Sequence, residues 1–212
     1  MPTSPAKENM LRRIRQALRT PVPVPFPHAE KNTAAVFKAD SNDNAVVFAE
    51  QFAKLQGRFT FCEDENALVA QLKSLLEEKS WTKVYCRELP FIHLLKNSGV
   101  ELYQQLEDCD VSITGCECLV ARTGTIVMST AQESGRTTSV YAPVHICIAF
   151  TDQVVFDVKD ALETITERYS ENIPSLITFA SGPSRTADIE KTLVTGVHGP
   201  KEVYCFLMEA KR

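Results

Sequence analysis

The sequence predicts an α/β fold built on a mostly parallel sheet. Helical and strand periodicities alternate along most of the chain, the strand runs are short and apolar, and the connections between successive strands are long enough to hold helices. Strands separated by helices cross over on both sides of a sheet, so both faces of the sheet are expected to be covered. Over the 212 residues, 44% of positions are hydrophobic and 24% are charged, as in an ordinary globular protein. That length suits one domain with a sizeable core and a small appendage.

The elements follow in order. Residues 1–20 carry Lys7, Arg12, Arg13, Arg15 and Arg19 against Glu8 alone, a charge of +4. Leu11, Ile14 and Leu18 recur at helical spacing, which predicts a short amphipathic helix. The run "PVPVPFPH", residues 21–28, removes backbone donors and favours an extended spacer. Residues 1–28 are thus expected to be a basic arm and proline-rich linker, and residues 29–212 a single α/β domain. A targeting peptide is the rival reading of the arm, but the segment is not serine-rich.

"NAVVFAEQFAKLQG" sets Phe48, Phe52 and Leu55 on one stripe and stops at Gly57. The strand "RFTFC" follows. In "DENALVAQLKSLLEEKS" the acidic start favours a helix N-terminus, and Leu68, Leu72, Leu75 and Leu76 share a face. "KVYCRE" is the next strand, and a short helix near residues 91–96 leads to Gly99. The middle third holds "DVSIT", "CLVA", "TIVMS" and "VHICIAF", strand-like runs with turn material between them, expected as an antiparallel extension of the sheet. Helix returns over residues 157–169. Then come a strand at 176–180, a helix near 188–195 and a final strand at 202–208.

Charge and composition narrow the function. The net charge is −4, so the arm's +4 leaves −8 on residues 21–212, and an acidic body lacks the basic footprint that nucleic acid requires. No run approaches a membrane span, and the start lacks the apolar region of a secretory signal, which makes a cytoplasmic protein the expectation. The seven cysteines show no disulfide framework and no Cys-x-x-Cys, so reduced thiols are expected. Cys116 and Cys118 would share a face of an extended strand, yet two thiols fall short of the four ligands of a zinc or iron–sulfur site. No metal or cluster is therefore expected in this chain, and any other cofactor is left open.

The stretch "SGPSRTADIEKTLVTGVHGP", residues 181–200, carries the candidate chemistry. If a strand gives way to a helix here, the loop lies beyond a strand's carboxyl end, where open sheets bind ligands. Gly182 permits close approach of backbone, Thr186 or Asp188 caps the helix, and the helix amides favour an anion. Ser184 and Arg185 add donors suited to carboxylate or phosphate. The structural alternative pairs Arg185 with Asp188 or Glu190 to fix the turn. His198, between Gly196 and Gly199, is presented on a loop that Pro200 terminates; it either meets a ligand or bonds a carbonyl. Thr123-Gly124-Thr125 reads first as a tight turn and second as an anion contact. Arg136, after Ser134 and Gly135, is a further candidate anion contact, and His145 reads as a satisfied core histidine. No catalytic residue is assigned.

The segments "GPSRTADIE" with "LVTGVHGP", "LVARTGTIVMST" at 119–130 and "SGRTTSVYAPVHICIAF" at 134–150 resemble the lactate-utilization (LUD) domain family, in particular its small LutC-like members. The resemblance spans about residues 44–208. It implies a three-layer α/β/α sandwich like that of the sugar-phosphate isomerases and coenzyme A transferases. It also implies participation in oxidation of L-lactate to pyruvate beside iron–sulfur partner proteins, while the small anion expected as ligand is read from the loop residues above. Whether the subunit is itself an enzyme does not follow. Arg122 stands where the family commonly has a glutamate, and Cys116 and Cys118 where it has small residues. The alternative function is a stand-alone coenzyme A transferase-like or sugar-phosphate isomerase-like enzyme; in the transferase form Glu133 of "TAQESG" would be the nucleophile.

Overall fold

In the computed structural model the described residues are 5–19, 43–189, 192–196 and 198–210, with the side chains of 18, 186–189 and 192–195 set aside. Two compact units, residues 1–40 and 41–212, divide the chain. In the first, the helix α1 (Pro5–Leu18) forms where helical spacing predicts it, with Glu8 in its first turn and Arg15 in its last, both favourable to the helix dipole.

The main sheet has five parallel strands in the order β1 (Arg58–Cys62), β11 (Glu202–Met208), β6 (Val144–Phe150), β3 (Val111–Thr114), β2 (Val84–Cys86). Two crossover helices, α3 (Glu65–Lys79) and α4 (Leu89–Asn97), carry the chain from β1 to β2 and from β2 to β3. Their start is encoded locally: the Asp64 carboxylate accepts the Ala67 N–H at 2.8 Å as the N-cap of α3, and Pro90 sits in the first turn of α4. Leu68, Leu72 and Leu76 of α3 and Phe91 and Leu95 of α4 then bury against Val111, Ile113, Val144, Ile146, Ile148, Tyr204 and Phe206 on one face of the sheet.

The opposite face is covered by α2 (Asn44–Lys54) and by a second sheet. Phe48 and Phe52 of α2 stack at 5.3 Å and bury against Cys147, Ala149, Cys205 and Leu207. The helix, sheet, helix order expected from the sequence is therefore present, with a second sheet added to the third layer. That sheet runs β7 (Val154–Val155), β4 (Cys118–Val120), β5 (Thr125–Ser129), β8 (Ile177–Ala180), and α6 (Val158–Tyr169) backs it through Ala161 and Ile165.

Three expectations change. The middle strands do not extend one sheet: β3 and β6 belong to the parallel sheet, whereas β4, β5 and β8 pair antiparallel in the second. Apolar alternation identifies a strand but not its partner, which is set by long-range packing. The helix expected near 188–195 is instead a hairpin of β9 (Arg185–Ile189) and β10 (Thr192–Thr195), with Ile189 opposite Thr192. Thr, Val and Ile dominate this stretch, and their branched side chains favour strand over helix. Finally, Cys116 and Cys118 do not share a face. A bend at Glu117 sends Cys116 into the core with Phe48 and Cys147, and Cys118 into the core beside α6.

All seven cysteines are buried free thiols, and burial pushes the Cys86 and Cys118 thiols up to about 12. Arg122 is a structural anchor. Its Nε and Nη2 donate to the two Asp157 oxygens at 3.0 and 2.9 Å, fixing the residue that caps α6. Among the described residues no helix is long and apolar enough to cross a membrane.

Candidate functional site

Backbone hydrogen bonds place Ser184, Gly196 and Pro200, the base of the 181–200 stretch, at the amino edge of the parallel sheet, not at the carboxyl edge. The Lys201 N–H donates to the Pro143 carbonyl at 2.7 Å, and these two residues immediately precede β11 and β6. Ser184 N–H donates to Pro200 O at 2.9 Å and Gly196 N–H to Ser184 O at 3.0 Å, so the stretch closes on itself there. With a hairpin in place of the helix, no helix N-terminus is available to an anion. The backbones of Thr186 and Asp188 lie in β9, and their side chains lie outside the described residues, as does Glu190.

The sequence candidates fall into three places. The first is a clamp on the end of α2. Gly124 has φ +58°, and a Cβ there would stand 2.5 Å from the backbone nitrogen of Phe52, so only glycine lets the turn lie on the helix. Thr123 Oγ1, Thr125 Oγ1 and Ser181 Oγ form a chain of hydroxyls at 2.8 Å each. Gly182, at φ +83°, brings its Cα under the Leu55 carbonyl, which also accepts a hydrogen bond from Arg185 Nη2. Arg185 thus ties the turn to the end of α2 through Leu55.

The second place is a shallow groove of about 440 Å³ at the amino edge, walled by Val140 and Tyr141 on one side and by His198, Gly199 and Lys201 on the other, with Pro143 between. Ser184 backs it, because a Cβ on Gly199 would stand 3.0 Å from the Ser184 Cβ. The Lys201 stem packs on Gly196, where an added Cβ would meet its Cγ at 2.2 Å. His198 and Lys201 are exposed, and their side chains make no hydrogen bond or ion pair among the described residues. Lys201 and Tyr141 were missed from the sequence; the signal for Lys201 is its place directly after the "GVHGP" turn, whereas Tyr141 arrives only through tertiary packing. Arg136 is the third place: its Nη2 donates to Ser175 Oγ at 2.8 Å, at the far end of the β5–β8 pair from Ser181. Thr125 to Thr130 spans about 17 Å of strand, so Arg136 and the 181–185 turn do not share a ligand.

A buried carboxylate network lies beyond β3. Glu117, 2% exposed, accepts from Ser129 Oγ at 2.6 Å, Tyr169 OH at 2.8 Å and Arg168 Nη1 at 2.6 Å. Glu88 accepts from Gly115 N–H at 3.0 Å; burial raises its pKa, Ser134 and Gly115 lower it, and neighbouring Glu133 and Glu117 raise it further. Glu133 accepts the Leu89 N–H at 2.7 Å, capping α4. Only the fold brings these acids together. Among the described residues no group of three or more His, Cys, Asp or Glu side chains is arranged to hold a metal ion.

Residues 28–208 match the LUD domain family. The chain belongs to the LUD domain family. This LUD domain is LutC-like: it is 30% identical to lactate utilization protein C of Bacillus subtilis over 176 residues, 82% of this chain and 72% of that one. Lactate utilization protein C of Deinococcus radiodurans is 35% identical over 102 residues, and a Neisseria meningitidis protein 39% over 95 residues. These matches cover 48% and 44% of this chain and only 47% and 40% of the relatives, so the chain spans about half the length of several curated relatives it matches. The LUD fold itself recurs in a DUF162 family protein from Deinococcus radiodurans, with a TM-score of 0.61 and 18% identity over 81% of this chain and 99% of that one.

Proposed function

We propose that this LUD domain acts in L-lactate utilization as a LutC-like subunit and binds a small carboxylate in the amino-edge groove. The observation that carries the site is the pair of unengaged cationic or proton-exchanging side chains, Lys201 and His198, beside the apolar wall of Val140 and Tyr141. That combination suits a short organic acid, with the carboxylate at Lys201 and the carbon body against the wall. Ser184 and Gly199 shape the turn that presents His198. Arg185 supports the turn through the Leu55 carbonyl.

In this reading the protein is cytoplasmic, carries no metal or cluster of its own, and works beside iron–sulfur partner proteins that take the electrons from lactate. The basic arm, residues 1–28, is the docking element toward them, because its +4 charge and apolar stripe fit an acidic surface with an apolar seam. The relatives named for lactate utilization support the pathway, and the groove supports the ligand class.

The test is L-lactate consumption by a strain deleted for this gene, complemented with wild-type protein or with His198→Ala/Lys201→Ala. Wild-type protein should restore consumption, and the double variant, present at equal level, should not. Full restoration by the double variant would refute the groove; no defect on deletion, where no other lactate oxidase exists, would refute the pathway.

A further inference from the structure

The carboxyl edge of the parallel sheet, where open α/β folds bind their ligands, holds a second cleft. The amino-edge groove, walled by the last residues of α5 (Thr138–Tyr141), lies at the other end of the same strands. Phe150 and Met208, the last residues of β6 and β11, and Glu65, the first of α3, line both halves of the cleft. One half is a polar vestibule of about 440 Å³ that Asp152 and Arg168 also line. The other is a slot of about 270 Å³ between α3 and α4, walled by Leu68, Phe91 and Leu94. Shared walls make the two halves one site.

Both charged groups of the vestibule are held in place, and neither is used up. Arg168 Nη1 donates to Glu117 Oε2 at 2.6 Å, and Glu117, 2% exposed, is itself fixed by the Ser129 and Tyr169 hydroxyls. This buried carboxylate anchors the guanidinium. The remaining Arg168 donors have no partner among the described residues. Asp152 lies in the single turn Thr151–Gln153, which three hydrogen bonds pin. Gln153 Oε1 accepts the Phe150 N–H at 2.8 Å, Gln153 Nε2 donates to Cys116 O at 2.7 Å, and Thr151 Oγ1 accepts the Ala210 N–H at 3.0 Å.

The Asp152 side chain is exposed and makes no hydrogen bond or ion pair among the described residues. Two opposite charges thus line one cavity without pairing with each other. Because each is mounted rigidly, a ligand that carries the complement of both is recognised with little reorganisation.

We propose that this cleft binds an apolar α-amino acid as its zwitterion. The carboxylate meets the remaining donors of Arg168, whose planar fork matches it, and the ammonium meets Asp152. The side chain enters the slot between α3 and α4, against Leu68, Phe91 and Leu94. A short hydroxy acid lacks the ammonium for Asp152 and the carbon body for the slot. The site is therefore separate from the amino-edge groove and does not rest on the carboxylate reading of it.

Calorimetric titration of the full-length protein tests the site, using L-leucine, isocaproate, which lacks the ammonium, and isopentylamine, which lacks the carboxylate. L-Leucine should bind at least about tenfold more tightly than either analogue, the scale of one charged hydrogen bond. Asp152→Asn should bring leucine down to the affinity of isocaproate while leaving the thermal midpoint within about 2 °C of wild type, since the side chain has no partner to lose. Arg168→Lys keeps a cation for Glu117 but loses the fork, and should weaken leucine and isocaproate while sparing isopentylamine. Carbon NMR of the Met208 methyl group gives the location: its signal should move with leucine. Equal binding of leucine and isocaproate, unaffected by Asp152→Asn, would overturn the proposal, as would no binding of leucine at millimolar concentration. Leucine binding that is lost in His198→Ala/Lys201→Ala, with the Met208 signal unmoved, would place the amino acid in the amino-edge groove and equally overturn it.

Discussion

Replacing Glu117 with alanine tests whether the acid beyond β3 holds the two sheets and α6 together. The carboxylate is buried and receives three short hydrogen bonds, from a serine of β5 and from Arg168 and Tyr169 at the end of α6. Removing one partner of a buried ion pair costs about 3–5 kcal/mol. Here the Arg168 side chain is 46% exposed and regains water, which discounts the loss, whereas the buried Ser129 hydroxyl loses its acceptor and the half-buried Tyr169 hydroxyl loses part of its bonding. We expect the low end, about 3 kcal/mol. For a domain of this size 1 kcal/mol moves the midpoint by about 2–4 °C, so Glu117→Ala should lower Tm by roughly 6–12 °C. Urea unfolding followed by circular dichroism should show a reduced midpoint with an unchanged slope. Tyr169→Phe made in both backgrounds should be less costly in the absence of Glu117, because its hydrogen bond is then already lost. A Tm within about 2 °C of wild type would mean that water replaces the carboxylate without penalty, and the network would not be a structural tie.

Two further outcomes follow from the geometry. Gly124→Ala forces a Cβ to 2.5 Å from the Phe52 backbone at a positive φ, so it should destabilise by at least about 2 kcal/mol and expose the α2 C-terminus to hydrogen exchange; wild-type exchange there would show that the clamp is not needed. His145 resists protonation when folded, and its pKa falls from 6.5 to about 4. Its contribution to stability is full above pH 6.5 and is lost as pH falls toward 4, by up to about 3 kcal/mol. The stability of wild type minus that of His145→Gln should therefore decline across that window, and a pH-independent difference would refute the buried neutral ring.

The sequence by itself determined most elements, because their signals are local. The leucine stripe and Asp64 cap of α3, the aromatic stripe of α2 and the apolar runs of β6 and β11 form where periodicity puts them. The motif segments also identified the family, and Gly124 already read as a turn. What only the tertiary structure decided is partnership. The run at 176–180 reads as a strand, but its antiparallel place beside β5 depends on residues fifty positions away, and that place moves the base of the 181–200 loop to the amino edge of the parallel sheet. Arg185 reads in sequence as a donor for an anion or a carboxylate, and only the packed turn gives its Nη2 the Leu55 carbonyl as a partner. Ser112 is unremarkable in sequence, and only the packing of β3 against its neighbours leaves its buried hydroxyl without a partner among the described residues. Side-chain periodicity is a property of one segment and can be read from it. Hydrogen-bond satisfaction is a property of the packed whole, because each buried donor or acceptor takes its partner from elements that are distant in the chain.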